Sequence, residues 1–117
     1  MISDNKMVQL IADACLEEKA IDMVALDVNK LTVVADYFVI ASGRNMMQVK
    51  SIVDHVEEKL RDYDIIPARR EGHTQGVWVV LDFNSVILHV FREEERDYYN
   101  LENLWGDARE IAIVGND

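Results

Sequence analysis

Cysteine is nearly absent from the 117-residue sequence: Cys15 stands alone, which excludes an intrachain disulfide and a thiolate zinc cage. A reducing cytoplasm is then the simplest compartment. Proline occurs once, at Pro67, and there is no repeat or low-complexity tract, so no interior position is marked as a domain boundary. The expectation is a single domain over residues 1–117, with its core at about 5–108. Basic side chains are scarce as well. Twelve Lys and Arg stand against 22 Asp and Glu, a formal net charge of −10, so a phosphate backbone is repelled and a basic protein is the better-matched partner. No segment approaches the roughly 18 consecutive apolar residues of a membrane span. The start MISDNK also lacks the basic and apolar regions of a secretory signal.

What is present is a half-apolar chain, 50% by composition, long enough to bury a core without staples. Val8, Ile11, Ala12, Cys15 and Leu16 recur at helical spacing, so residues 5 to 19 read as an amphipathic helix with Ser3 or Asp4 as its N-cap. Val24, Leu26 and Val28 alternate with smaller or polar residues, which is a strand period. The β-branched and aromatic run TVVADYFVIA, residues 32 to 41, reads as a second strand ending at Ser42-Gly43. Val49, Ile52, Val53, Val56 and Leu60 line one face of a helix over about 45 to 62. IIPARREGHTQG, residues 65 to 76, is a loop with one short extended piece, and REEERDYYNLENLWGDA reads as short helical turns. The order predicts an α/β fold with a mixed, largely antiparallel sheet and helices mainly on one face.

The richest stretch is GVWVVLDFNSVILHVF, residues 76 to 91. A turn at Phe83-Asn84-Ser85-Val86 pairs Asp82 with Ile87, Leu81 with Leu88, Val80 with His89, Val79 with Val90 and Trp78 with Phe91. Side chains alternate between faces. One face is then Val77, Val79, Leu81, Phe83, Val86, Leu88 and Val90, a core face without a polar residue. The other collects Trp78, Val80, Asp82, Ile87, His89 and Phe91.

Three readings of that second face compete. It can be a helix-covered layer in which Asp82 and His89 pair with each other or with backbone, since a buried Asp needs a partner. It can be catalytic, but an Asp-His couple lacks a nucleophile, and the nearby hydroxyl of Ser85 belongs to the turn. It can be an exposed apolar patch rimmed by charge, with aromatic anchors, as protein interfaces are built; we favour this reading. Two-metal nucleotidyl transfer fails on spacing, because the residues two positions from Asp82 are Val80 and Asn84 and the neighbouring strand offers His89. His55 and His73 are too scattered to form a metal site and read as solvated residues.

DYFVIASGRN (36 to 45), the Glu-Gly pair at 71 and 72, GVWVVLDFNSVILHVF and RDYYNLENLWGDA (96 to 108) together resemble the ribosomal silencing factor, or Iojap, family. The resemblance implies a nucleotidyltransferase-like topology without the catalytic acids. It implies a non-enzymatic translation repressor, without cofactor or metal, that binds a basic protein of the large ribosomal subunit on the face meeting the small subunit. Subunit joining is then blocked and translation lowered under nutrient limitation. It also implies Trp78, Val80 and Asp82 as partner-binding residues, followed by His89, Phe91 and Tyr99, and a homodimer when the protein is free. A large-subunit assembly scaffold, or a nucleotide-binding remnant using Ser42-Gly43 and the next helix N-terminus, remain alternatives. One departure is visible: many relatives continue after HVF with what resembles a His-Pro-Glu helix start, where this chain has Arg92-Glu93-Glu94-Glu95.

Overall fold

Residues 2–113 are described by a computed structural model, in which six strands form one sheet. The chain runs α1 (Asp4–Glu17), β1 (Ile21–Asp27), β2 (Tyr37–Gly43), α2 (Met46–Arg61), β3 (Arg69–Glu71), β4 (Trp78–Asp82), β5 (Val86–Arg92), α3 (Glu93–Tyr99), α4 (Leu101–Leu104) and β6 (Arg109–Ile111). The strand order is β3-β4-β5-β2-β1-β6. Only β2 and β5 run parallel; every other neighbouring pair among the described residues is antiparallel. The expected mixed, largely antiparallel sheet flanked by helices is therefore present. The crossover that makes β5 parallel to β2 is α2 together with β3 and β4, and it buries β5 between two neighbours, which is why VILHVF is nearly continuous in apolar character.

Local signals explain the helix starts. Ser3 caps α1, its hydroxyl accepting from Lys6 N, and Asn45 caps α2 by accepting from Gln48 N at 2.9 Å. The apolar stripe of α2 is fully buried at Val49, Ile52, Val53, Val56 and Leu60. It packs with α1 on one sheet face around Val39, Val79, Leu81, Val86, Leu88 and Val90. Cys15 lies in that core, where burial pushes its thiol up to about 12.

The hairpin pairs as the turn chemistry predicts, from Trp78 with Phe91 to Asp82 with Ile87. Asn84 takes the left-handed conformation at φ 74, and Phe83 N donates to Val86 O. Two expectations are corrected. The second strand begins at Tyr37, not Thr32: residues 32–36 form the connection from β1, with Val33 and Val34 exposed to solvent, because Asp36 N and Tyr37 N both turn to Ser85 O and only then enter the ladder. The second sheet face is also not wholly open. Leu26, Val28, Phe38, Ile40, Ile87 and Phe91 make a second apolar cluster, and Leu101, Trp105 and Ala108 pack onto it.

The unusual start of α3 has a physical account. Arg92 is its N-cap without a side-chain capping bond, while Glu93, Glu94 and Glu95 occupy the first turn, where negative charge suits the helix dipole. Arg92 folds onto Glu95 with two hydrogen bonds, at 2.7 and 2.8 Å. Beyond α4, the chain returns as edge strand β6 beside β1.

A candidate docking face

The second face is divided by what lies over it. Arg96 of α3 is buried beneath the surface, donating at 2.7 Å to Ser42 Oγ on β2 and to both carboxylate oxygens of Glu102 at 2.8 and 3.0 Å. That bidentate pair holds the Glu102 carboxyl below its ordinary range. The tether seats α4, and Trp105 meets the Phe38 ring edge-to-face with centroids 5.3 Å apart. Strands β1 and β2 are thereby covered. Strands β3 and β4 are not.

Along the open part lie the side chains singled out in the sequence. Trp78, Val80 and Asp82 project together from β4 and are each half-buried. Arg69 and Glu71 of β3 stand opposite Asp82 and Val80 on the same face and are ion-paired to each other. A shallow hollow of about 200 Å³ lies here, walled by Val34, Phe38, Val80 and Ile87. Trp78 stacks on Phe91 with centroids 4.9 Å apart and touches Tyr99 at 4.9 Å. Phe91 itself is fully buried, so it supports the strip from beneath and presents no surface.

Asp82 and His89 share the face but do not pair. Asp82 accepts from Asn84 N at 2.8 Å, an ordinary turn bond. His89 instead accepts at Nδ1 from Trp78 Nε1, at 3.2 Å. An indole N–H can only donate, so the neutral imidazole carries its proton on Nε2, which is buried and has no hydrogen-bond partner among the described residues. Desolvation pushes the His89 pKa down to about 4, so the ring is neutral at pH 7. Its work is to hold the Trp78 ring in place.

The catalytic alternatives find little support in this geometry. The Ser85 hydroxyl bonds Asp4 at 2.8 Å, tying the turn to the start of α1 rather than facing His89. At the turn after β2, Ser42 Oγ is engaged by Arg96, Arg44 N donates to Gln48 Oε1, and the Asn45 side chain occupies the first turn of α2. Those are groups an anion would use. His55 and His73, read as solvated, each lie 2.8 Å from a carboxylate, on Glu17 and Asp54 respectively. Their partners sit on other elements, a relation invisible to local sequence. The residue that sequence reasoning missed is Arg96; a basic side chain amid six acids between residues 92 and 108 was its only signal.

Three comparisons bear on this geometry. Residues 2–117 match the family described as "Ribosomal silencing factor during starvation". The chain is 37% identical over 114 residues to the Ribosomal silencing factor RsfS of Halalkalibacterium halodurans, covering 97% of each. It is 27% identical over 104 residues to a mouse protein named "Mitochondrial assembly of ribosomal large subunit protein 1", covering 84% of this chain and 44% of that one. Among solved structures, a crystal structure of a Chromobacterium violaceum protein superposes with TM-score 0.88 at 31% identity, covering 97% of this chain and 93% of that one.

Proposed function

The chain belongs to the ribosomal silencing factor family, whose name is one of ribosome-associated translation regulation, and on that premise we propose that it represses translation by steric blockade. The open half of the second sheet face docks on a basic protein of the large ribosomal subunit, where the small subunit would otherwise sit. The bulk of the domain then keeps the subunits apart when nutrients are short. Neither cofactor nor turnover is needed. The observation that carries this reading is Trp78: half-buried, stacked on Phe91, oriented by His89 and left at the edge of an uncovered strip in a chain of charge −10. Val80, Asp82 and Tyr99 complete the contact surface, and His89 and Phe91 hold it rigid. When the protein is free, a second copy covers the same apolar strip.

Sedimentation with purified large subunits, small subunits and joined ribosomes tests the reading. Association with large subunits alone is expected; equal association with joined ribosomes defeats the blockade. Trp78→Ala should weaken large-subunit binding roughly thirtyfold, about 2 kcal/mol, while the domain still folds. A second reading, as a large-subunit assembly factor, is favoured by the name of the mouse relative. It predicts association with immature large-subunit particles in preference to mature ones.

A further inference from the structure

The aromatic contacts do not end at Trp78. They run from Phe91 through Trp78 and Tyr99 to Tyr98, with Tyr98 and Tyr99 centroids 5.0 Å apart. Exposure rises along the chain of rings, from 0% at Phe91 to 52% at Tyr99 and 77% at Tyr98. The outer ring therefore leans on one neighbour and is otherwise in water. In α3 the only buried residue is Arg96; Glu95 is engaged by Arg92 and Tyr99 by Trp78, which leaves Glu93, Glu94, Asp97 and Tyr98 exposed to solvent.

The surroundings of Tyr98 carry one sign of charge. Six acids and two arginines lie between residues 92 and 108, and both arginines are paired with acids of the same segment, Arg92 with Glu95 and Arg96 with Glu102. Glu93 and Asp97 have no cation within ion-pair distance among the described residues. Asp97 also lines a hollow of about 440 Å³ whose walls include Asp22, Glu102 and Glu110, so negative potential continues around the helix.

We infer that the docking face extends past Tyr99 onto α3, where Tyr98 receives an arginine- or lysine-bearing segment of the basic protein partner, with Glu93 and Asp97 steering it; this rests on the docking role proposed above. A guanidinium or ammonium over a tyrosine ring is attracted by the ring quadrupole, and the uncompensated carboxylates of the segment attract its charge from a distance. Nucleic acid fits poorly, because its phosphates face the same acids. A second copy, which covers the strip when the protein is free, is a poorer match for Tyr98 itself, since its own surface carries the same net negative charge.

The test is binding kinetics on purified large subunits, with the full chain and its variants. Tyr98→Leu keeps apolar area but removes the ring, and should bind about fivefold more weakly, whereas Tyr98→Phe stays within about twofold of the parent. The Glu93→Gln and Asp97→Asn pair should slow association about threefold at low salt and flatten its salt dependence. Because Tyr98 is exposed, the thermal midpoint of its variants should match the parent, so lost binding is not lost folding. Parent-like binding by Tyr98→Leu, with Trp78→Ala still defective, overturns the extension and leaves the proposed function standing. Competition by RNA extracted from large subunits, or a Tyr98→Leu effect on self-association alone, overturns it in favour of RNA or a second copy. Failure of the parent to bind large subunits removes both readings.

Discussion

Two faces of the same sheet are built from alternate residues of the same strands, yet one is sealed and the other half-open. Val79 and Leu81 of β4 are fully buried on one side, while Trp78, Val80 and Asp82, their immediate neighbours in sequence, stay half-buried on the other. The difference lies in the covers. Helices α1 and α2, of 14 and 16 residues, are about 21 and 24 Å long at 1.5 Å per residue, enough to cross most of a six-stranded sheet. Helix α4 has four residues, about 6 Å, and can lie over one or two strands. The docking proposed above occupies the area that the second cover is too short to reach.

The sharpest way to break the comparison is to truncate neighbours that face opposite ways. Leu81→Ala should cost about 3 to 4 kcal/mol in urea unfolding and Val80→Ala about 1, since only the first opens a cavity in close-packed surroundings. Equal costs would make the second face core throughout.

A comparable effect should come from pH. The folded-state pKa of His89, about 4, lies below its ordinary value of 6.5, so the folded protein binds fewer protons than the unfolded chain in between. The stability is fully present above pH 6.5 and is lost as pH falls toward 4, by up to about 3 kcal/mol. The carboxyls of Glu95 and Glu102, lowered by Arg92 and Arg96, add their own losses only below their ordinary range. Unfolding of parent and His89→Gln measured from pH 7 to 5 should therefore diverge in slope, the variant being flatter; parallel curves would mean that folding does not lower the His89 pKa.

Arg96→Ala should cost about 2 kcal/mol, because it leaves the buried Ser42 hydroxyl without its donor and releases Glu102, which is already partly solvated. Hydrogen exchange should quicken over residues 93–113 and remain slow in α2; uniform quickening would show that the short cover is integral to the main core. The smallest effect concerns the turn that assigns residues to faces. Asn84→Ala places an alanine at φ 74 and should cost about 1 kcal/mol by thermal unfolding, with Asn84→Gly close to the parent.

How much of this was legible differs by element. The hairpin register was readable because Asn84 tolerates the left-handed turn and strict alternation on both sides admits only one pairing that keeps seven apolar residues together. Helix α2 was readable from its apolar stripe, while the Asn45 cap that fixes its start emerged only in the structure. The start of β2 was not: TVVADYFVIA is β-branched or aromatic over most of its length, but residues 32–36 have no strand beside them, and propensity cannot supply a partner. Of the site, the grouping of Trp78, Val80, Asp82 and His89 was legible, while the burial of Phe91 and the choice of Trp78 over Asp82 as the partner of His89 were not.

The sequence by itself determined which residues share a face, because the two-residue period of a strand is a property of the local backbone. What lies over each face was decided only by the tertiary structure. Whether Trp105 reaches Phe38, or Arg96 reaches Ser42, depends on segments far apart in the chain meeting in space, and no local period encodes that distance. The same alternation would read identically with the C-terminal turns seated over β4, where they would have sealed the strip on which the proposed docking depends.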